Sequence, residues 1–257
     1  MKHNVKWLIE RGSLWGRSIL QLQKTEAILL VGYPKTGSTW LRYYLFLLMC
    51  QKRANFDLSI DRMNDLMPEF AHESFFREWF YPQIPVLLKT HQKYYSFFKR
   101  HKALLVVRDP RDIVVSYYHY SKGVKNIDYD GSFSDLLRHP SMGLESFFKH
   151  YYSWKDNADM VLRYEDFKDD PTETFSKLSE FCKLTTNVDE IQQAITGAGF
   201  KNMKAIQSRS GKLRSEFKEG HQFVRSGKKA QWIDLFTVDD LAYYNLLKEK
   251  YNFHLYE

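Results

Sequence analysis

Val31-Gly-Tyr-Pro-Lys-Thr-Gly-Ser-Thr-Trp40 lies between two apolar runs of different kinds. Before it, Ala27-Ile-Leu-Leu-Val31 reads as a buried strand. After it, Leu41-Arg-Tyr-Tyr-Leu-Phe-Leu-Leu-Met49 is compatible with a helix. A strand, a Gly/Pro turn and a helix start make an anion cradle. Backbone N–H groups without helical partners point outward there, and the helix dipole favours negative charge. Lys35 adds a full positive charge, Thr36, Ser38 and Thr39 add short donors, and Gly37 allows close backbone approach. The order differs from the nucleotide loop G-x-x-x-x-G-K-[ST]. Here Lys35 precedes Gly37 and no Lys adjoins Ser38. An ordinary strand-to-helix turn has no reason to collect a Lys, a Gly and three hydroxyls in five positions.

Outward from this loop, the same pattern recurs. A second apolar run, Val86-Leu-Leu88, reaches Lys89-Thr90-His91, and a third, Ala103-Leu-Leu-Val-Val107, reaches Arg108-Asp109-Pro110. A helix is predicted from Arg111 to about Tyr120, with Pro110 near its first position. Residues 52–85 read as irregular and aromatic, and residues 122–143 as loop. A helix over 144–155, a short strand at Met160-Val-Leu162 and a helix over 171–183 follow. Alternating strands and helices predict a single α/β domain over residues 1–257, with a central, mainly parallel sheet covered by helices on both faces. Ligands of such sheets collect beyond the carboxyl ends of the strands. Lys35, His91 and Arg108 are therefore expected in one crevice, before any family is considered.

Composition fits a globular enzyme or binding protein and narrows its ligands. Of 257 residues, 44% are hydrophobic and 16% aromatic, enough for a substantial core with aromatics to spare for lining a pocket. The net charge of +7 steers anions toward the chain without separating nucleic acid, membrane surface and phosphorylated ligand. Two cysteines, Cys50 and Cys182, make no disulfide framework and read as buried thiols in a reducing, cytoplasmic setting. Residues 1–24 read as a helical segment without a signal-peptide core. Trp7, Leu8, Trp15, Ile19 and Leu22 can share one face of it, either packed on the domain or meeting a membrane surface or partner. No stretch is long and apolar enough to span a bilayer.

Four segments together resemble the cytosolic-type sulfotransferases, which use 3′-phosphoadenosine 5′-phosphosulfate (PAPS) and release adenosine 3′,5′-bisphosphate (PAP). They are Tyr33-Pro-Lys-Thr-Gly-Ser-Thr-Trp40, Lys89-Thr-His91, Val107-Arg-Asp-Pro-Arg-Asp-Ile-Val-Val-Ser-Tyr-Tyr118, and Phe223-Val-Arg-Ser-Gly227 with Trp232. Tyr164-Glu-Asp166 is a weaker fifth. The resemblance implies the sulfotransferase variant of the P-loop kinase fold, no metal, and a small-molecule acceptor instead of a nucleic acid. It implies that Lys35, Thr36, Gly37, Ser38 and Thr39 hold the phosphosulfate and that Trp40 stacks near the adenine. Arg108 and Ser116 would bind the 3′-phosphate with Arg225, Ser226 and Gly227, while Tyr164 and Phe200 would lie near the adenine. His91 would be the base, and Lys35 and Lys89 would accompany it in catalysis. Taken alone, Tyr164 and Phe200 read equally well as core.

Departures from the family pattern are informative. The C-terminal phosphate clamp usually reads Arg-Lys-Gly; here it is Arg225-Ser226-Gly227, with Lys228 and Lys229 next in line to compensate. The family's short dimer motif keeps Thr237-Val238 but has Ile233 and Ala242 where Lys and Glu are required, so monomer and dimer both stay open. Residues 52–85 and 122–143 are expected on the acceptor side. Phe70, Phe75, Phe76, Trp79, Phe80 and Tyr81 crowd the first, with Tyr94 and Tyr95 just past His91. Asp57, Asp61, Asp65, Glu69 and Glu73 recur there every four residues, as either a solvated face or an acidic wall. Two other functions would ask for different residues. A P-loop kinase or NTPase needs Lys beside Ser38 and a carboxylate for Mg²⁺; a non-catalytic polyanion-binding protein needs spread basic clusters.

Overall fold

A computed structural model describes residues 5–51, 58–72, 85–127, 129–184, 186–207, 210, 215–222 and 224–256, with backbone alone over 5–11. Asp57, Glu73, Phe75, Phe76, Trp79, Phe80, Tyr81 and Phe223 lie outside the described residues, as do the side chains of Trp7 and Leu8.

The described elements are α1 (Val5–Lys24), β1 (Ala27–Gly32), α2 (Ser38–Gln51), α3 (Ile60–Leu66), β2 (Val86–Thr90), β3 (Lys102–Val107) and α4 (Pro110–Gly123). They continue through α5 (Phe133–Leu137), α6 (Leu144–Trp154), β4 (Met160–Arg163), α7 (Asp166–Asp169), α8 (Pro171–Phe181) and α9 (Val188–Gly197). The last are α10 (Phe200–Gln207) and α11 (Val238–Lys250). The four strands form one sheet in the order β2-β1-β3-β4, and every pairing is parallel. The expected single α/β domain with a parallel central sheet is therefore present.

β1 explains why its sequence is apolar throughout. Ile28 and Leu30 enter a core with α2, α8 and α9, whereas Ala27, Leu29 and Val31 enter another with Trp15, Leu22 and Trp154. A strand covered on both faces loses the polar alternation of a one-sided sheet. From Gly12 onward, α1 belongs to the second core. Trp15 stands edge-on to Phe70, Tyr95 and Phe97, so this part of the helix packs on the domain. No helix among the described residues is long and apolar enough to cross a membrane.

Two expected irregular stretches contain helices. α3 begins where the Ser59 side chain accepts from the Arg62 N–H. α5 begins at a capping box in which Ser132 and Asp135 satisfy each other's backbone N–H groups. Both caps were present in the sequence but sit in turn-rich surroundings that masked them. Both cysteines are free; Cys182 is buried, whereas Cys50 is only half-buried.

Candidate active site

The carboxyl ends of β1, β2 and β3 open on a cavity of about 440 Å³, within the range of small-molecule sites. Lys35, His91 and Arg108, expected in one crevice, all line it. So do Gly37, Ser38, Thr39, Trp40, Lys89, Ser116, Tyr164, Phe200, Arg225, Ser226 and Gly227. Thr36 does not: it is buried, and both its N–H and its hydroxyl donate to the Tyr33 carbonyl, at 3.3 and 3.0 Å. Its place is inside the turn, holding the turn's shape.

The turn after β1 uses left-handed backbone twice, at Lys35 (φ 76°) and at Gly37 (φ 93°). A Cβ at Gly37 would lie 2.6 Å from the Tyr164 ring, so only glycine fits. Lys35 directs its ammonium over the Tyr120 ring, 3.9 Å from the centroid. Burial, followed by the charges of Arg108, Lys89 and Arg225, lowers its pKa to about 7.

At the end of β2, His91 Nδ1 lies 2.5 Å from the Gly32 carbonyl oxygen. A carbonyl can only accept, so Nδ1 carries the hydrogen and Nε2 keeps its lone pair. Burial and then the Lys89 ammonium push the His91 pKa down to about 3, against opposition from Glu69 and the Gly32 bond. Lys89 Nζ meets Glu69 Oε2 at 2.8 Å. Residues 68–70 run along β2: the Phe70 N–H donates to the Lys89 carbonyl, and the Lys89 N–H donates to the Pro68 carbonyl. Burial would raise the Glu69 pKa, but Lys89 and His91 outweigh it and hold the carboxyl at about 2.

At the end of β3, Arg108 is 5% exposed. Its Nη1 donates to the Lys35 carbonyl at 3.3 Å and its Nη2 to the Lys228 carbonyl at 3.1 Å. The guanidinium lies 4.4 Å from the Tyr164 ring centroid and pairs with Asp112 at 3.5 Å. Its buried Nε has no acceptor among the described residues. Asp112, one turn into α4, also accepts from the N–H groups of Ala230, Gln231 and Trp232. That carboxylate fixes the 225–231 segment against the site. In the segment, Arg225 and Ser226 both donate to Gln231 Oε1. Gly227 is left-handed (φ 62°) beneath the Phe200 ring.

Several site residues escaped the sequence reading. Asp112 had a readable signal, four residues after Arg108 on the same helix. Tyr117, Tyr120, Lys168 and Gln231 line the cavity through tertiary placement alone. The series of five acids splits among the described residues. Asp61 accepts from Ser210 and Asp65 stands 4.0 Å from Arg62, whereas Glu69 alone lines the cavity. Phe70 is core, and Tyr94 packs edge-on to Trp154. Asp109 pairs with Arg111 and caps α4.

Comparison with known proteins agrees with this geometry. The sulfotransferase domain profile matches residues 25–251. Sulfotransferase 6B1 of Danio rerio is 29% identical over 91% of this chain and 84% of its own length. Sulfotransferase 2A6 of Mus musculus is 25% identical over 84% of this chain and 80% of its own length. Among solved structures, mouse sulfotransferase SULT7A1 complexed with PAP superposes with a TM-score of 0.69 at 22% identity, over 94% of this chain and 92% of that one. Retinol dehydratase in complex with androsterone and PAP also gives 0.69, at 16% identity, over 88% of this chain and 80% of that one. With the parallel sheet, the displaced lysine loop and the family profile spanning most of its length, this chain belongs to the sulfotransferase domain family and is an enzyme of the PAPS-dependent sulfotransferase class.

Proposed function

We propose that this enzyme transfers the sulfuryl group of PAPS to a hydroxyl or amine of a small-molecule acceptor, with Lys35, Lys89 and His91 as catalytic residues. The observation that carries the reading is the gathering of Lys35, His91 and Arg108 in one cavity. The residues suit a nucleotide with two anionic ends. Gly37 permits close approach, and four cationic side chains, Lys35, Lys89, Arg108 with its orphaned Nε, and Arg225, line the cavity.

When bound, PAPS supplies a sulfuryl group on a phosphate leaving group. Lys35, Gly37, Ser38, Thr39 and Trp40, with Arg108, Ser116, Tyr164, Phe200 and residues 225–227, hold the donor, and Thr36 keeps the turn in shape. The Lys35 ammonium stabilises negative charge on the leaving oxygen, where positive charge fixed in advance is most effective. His91 Nε2 takes the acceptor's proton, and Nδ1 stays bonded to Gly32. The lowered pKa keeps His91 neutral at physiological pH. An anion arriving beside it raises that pKa toward the range in which a base works well.

A panel of phenols, steroids and alkaloid-like amines with sulfate-labelled PAPS tests the reaction. His91→Ala is expected to lose at least about a hundredfold in turnover, with PAP binding retained. Near-full turnover in that variant would remove His91 from the role of base.

A further inference from the structure

The phosphate clamp lacks its second cation: Ser226 stands between Arg225 and Gly227. Neither following lysine fills the gap. Lys229 Nζ bonds Asp169, and Lys228 is exposed, offering its carbonyl to Arg108 and Gln231. Lys168 approaches the same wall from α7. Its Nζ lies 4.4 Å from the Trp40 ring centroid and 5.9 Å from that of Tyr164, the ring that Arg108 also faces. A Cβ built on Gly227 would be 3.9 Å from that Nζ.

Resting on the donor reading above, we infer that Lys168 is a donor-binding residue that replaces the missing clamp lysine and recognises the 3′-phosphate together with Arg108 and Arg225. Its ammonium meets no carboxylate among the described residues. Desolvation, then the charges of Arg108 and Lys229, lower its pKa. Arg225 is lowered likewise by desolvation and by Arg108. Cations that crowd one another gain most from an anion placed among them, and charge-assisted hydrogen bonds are the strong ones. The cavity's lone carboxylate among the described residues, Glu69, is engaged by Lys89.

The test compares PAP with 5′-AMP, which lacks the 3′-phosphate, by calorimetric titration of the full chain. Lys168→Gln is expected to weaken PAP about tenfold and to leave 5′-AMP within about twofold. Adding Ser226→Lys to that variant is expected to restore most of the PAP affinity. Equal losses for both nucleotides, or no loss for PAP, would overturn the inference and leave the donor reading standing. A wild type that binds PAP no better than 5′-AMP would overturn the donor reading itself and this inference with it.

Discussion

Lys35 combines a left-handed backbone with an ammonium ringed by Arg108, Lys89 and Arg225. Both features cost stability in the free protein. A lysine titrating at about 7 instead of its ordinary 10.5 is only half charged in neutral solution. Because kcat/KM reports the free enzyme, kcat/KM for PAPS should fall as pH rises through about 7. The bound anion raises the pKa of Lys35, so the corresponding limb of kcat should lie at higher pH. His91, at about 3, contributes no acid limb near neutrality. Lys35→Arg, permanently charged, should abolish the alkaline limb of kcat/KM whatever it does to the maximum rate. A wild-type profile flat from about pH 6 to about pH 9 would contradict this assignment. Lys35 was legible because its motif is local. The Tyr120 ring beneath it was not, since nothing local to residues 117–120 indicates which face of α4 meets the loop.

At the scale of elements, α4 joins two stretches far apart in sequence. Asp109 caps it, Arg108 precedes it, and Asp112 takes three N–H groups from residues 230–232. Asp112 is 1% exposed. Asp112→Ala would leave the Arg108 charge buried and those donors unpaired, a loss expected to be about 3–5 kcal/mol in denaturant unfolding. Asp112→Asn, whose amide oxygen can still accept, should lose distinctly less. Equal losses would show that the bonds to 230–232 matter little beside the charge pair. The strands, α2, α4 and α8 were readable from apolar runs and from Pro at helix starts, because each signal fits within one window. α3 and α5 were missed because a short helix among turn residues shows too little periodicity. Its cap is the stronger signal there.

Taken whole, the cavity is assembled from residues between Pro34 and Gln231, contributed by the ends of three parallel strands, by α4 and by the 225–231 segment. Its cations repel one another until an anion arrives, so ligand binding and global stability should be strongly linked. At a PAP concentration about a hundredfold above Kd, the native state gains about 2.7 kcal/mol. For a chain of this size that corresponds to a rise in Tm of about 5–10 °C. Thermal scans with PAP, 5′-AMP and sulfate check it; a sulfate shift matching that of PAP would mark a generic anion effect. The reaction class was legible because three separated motifs converge on one sheet edge. The acceptor was not, because cavity residues such as Tyr117, Tyr120 and Ile127 carry no reaction chemistry of their own.

The half-neutral state of Lys35 also gives the free enzyme a chemical vulnerability. An uncharged primary amine is a nucleophile, whereas most lysines are protonated near neutrality. Activated esters, isocyanates and aldehydes that enter the cavity should therefore modify Lys35 ahead of the ordinary surface lysines. Bound nucleotide would shield it twice, by filling the cavity and by restoring the proton. The residue assigned to discharge the donor is thus also where the resting enzyme is most easily inactivated by acylation.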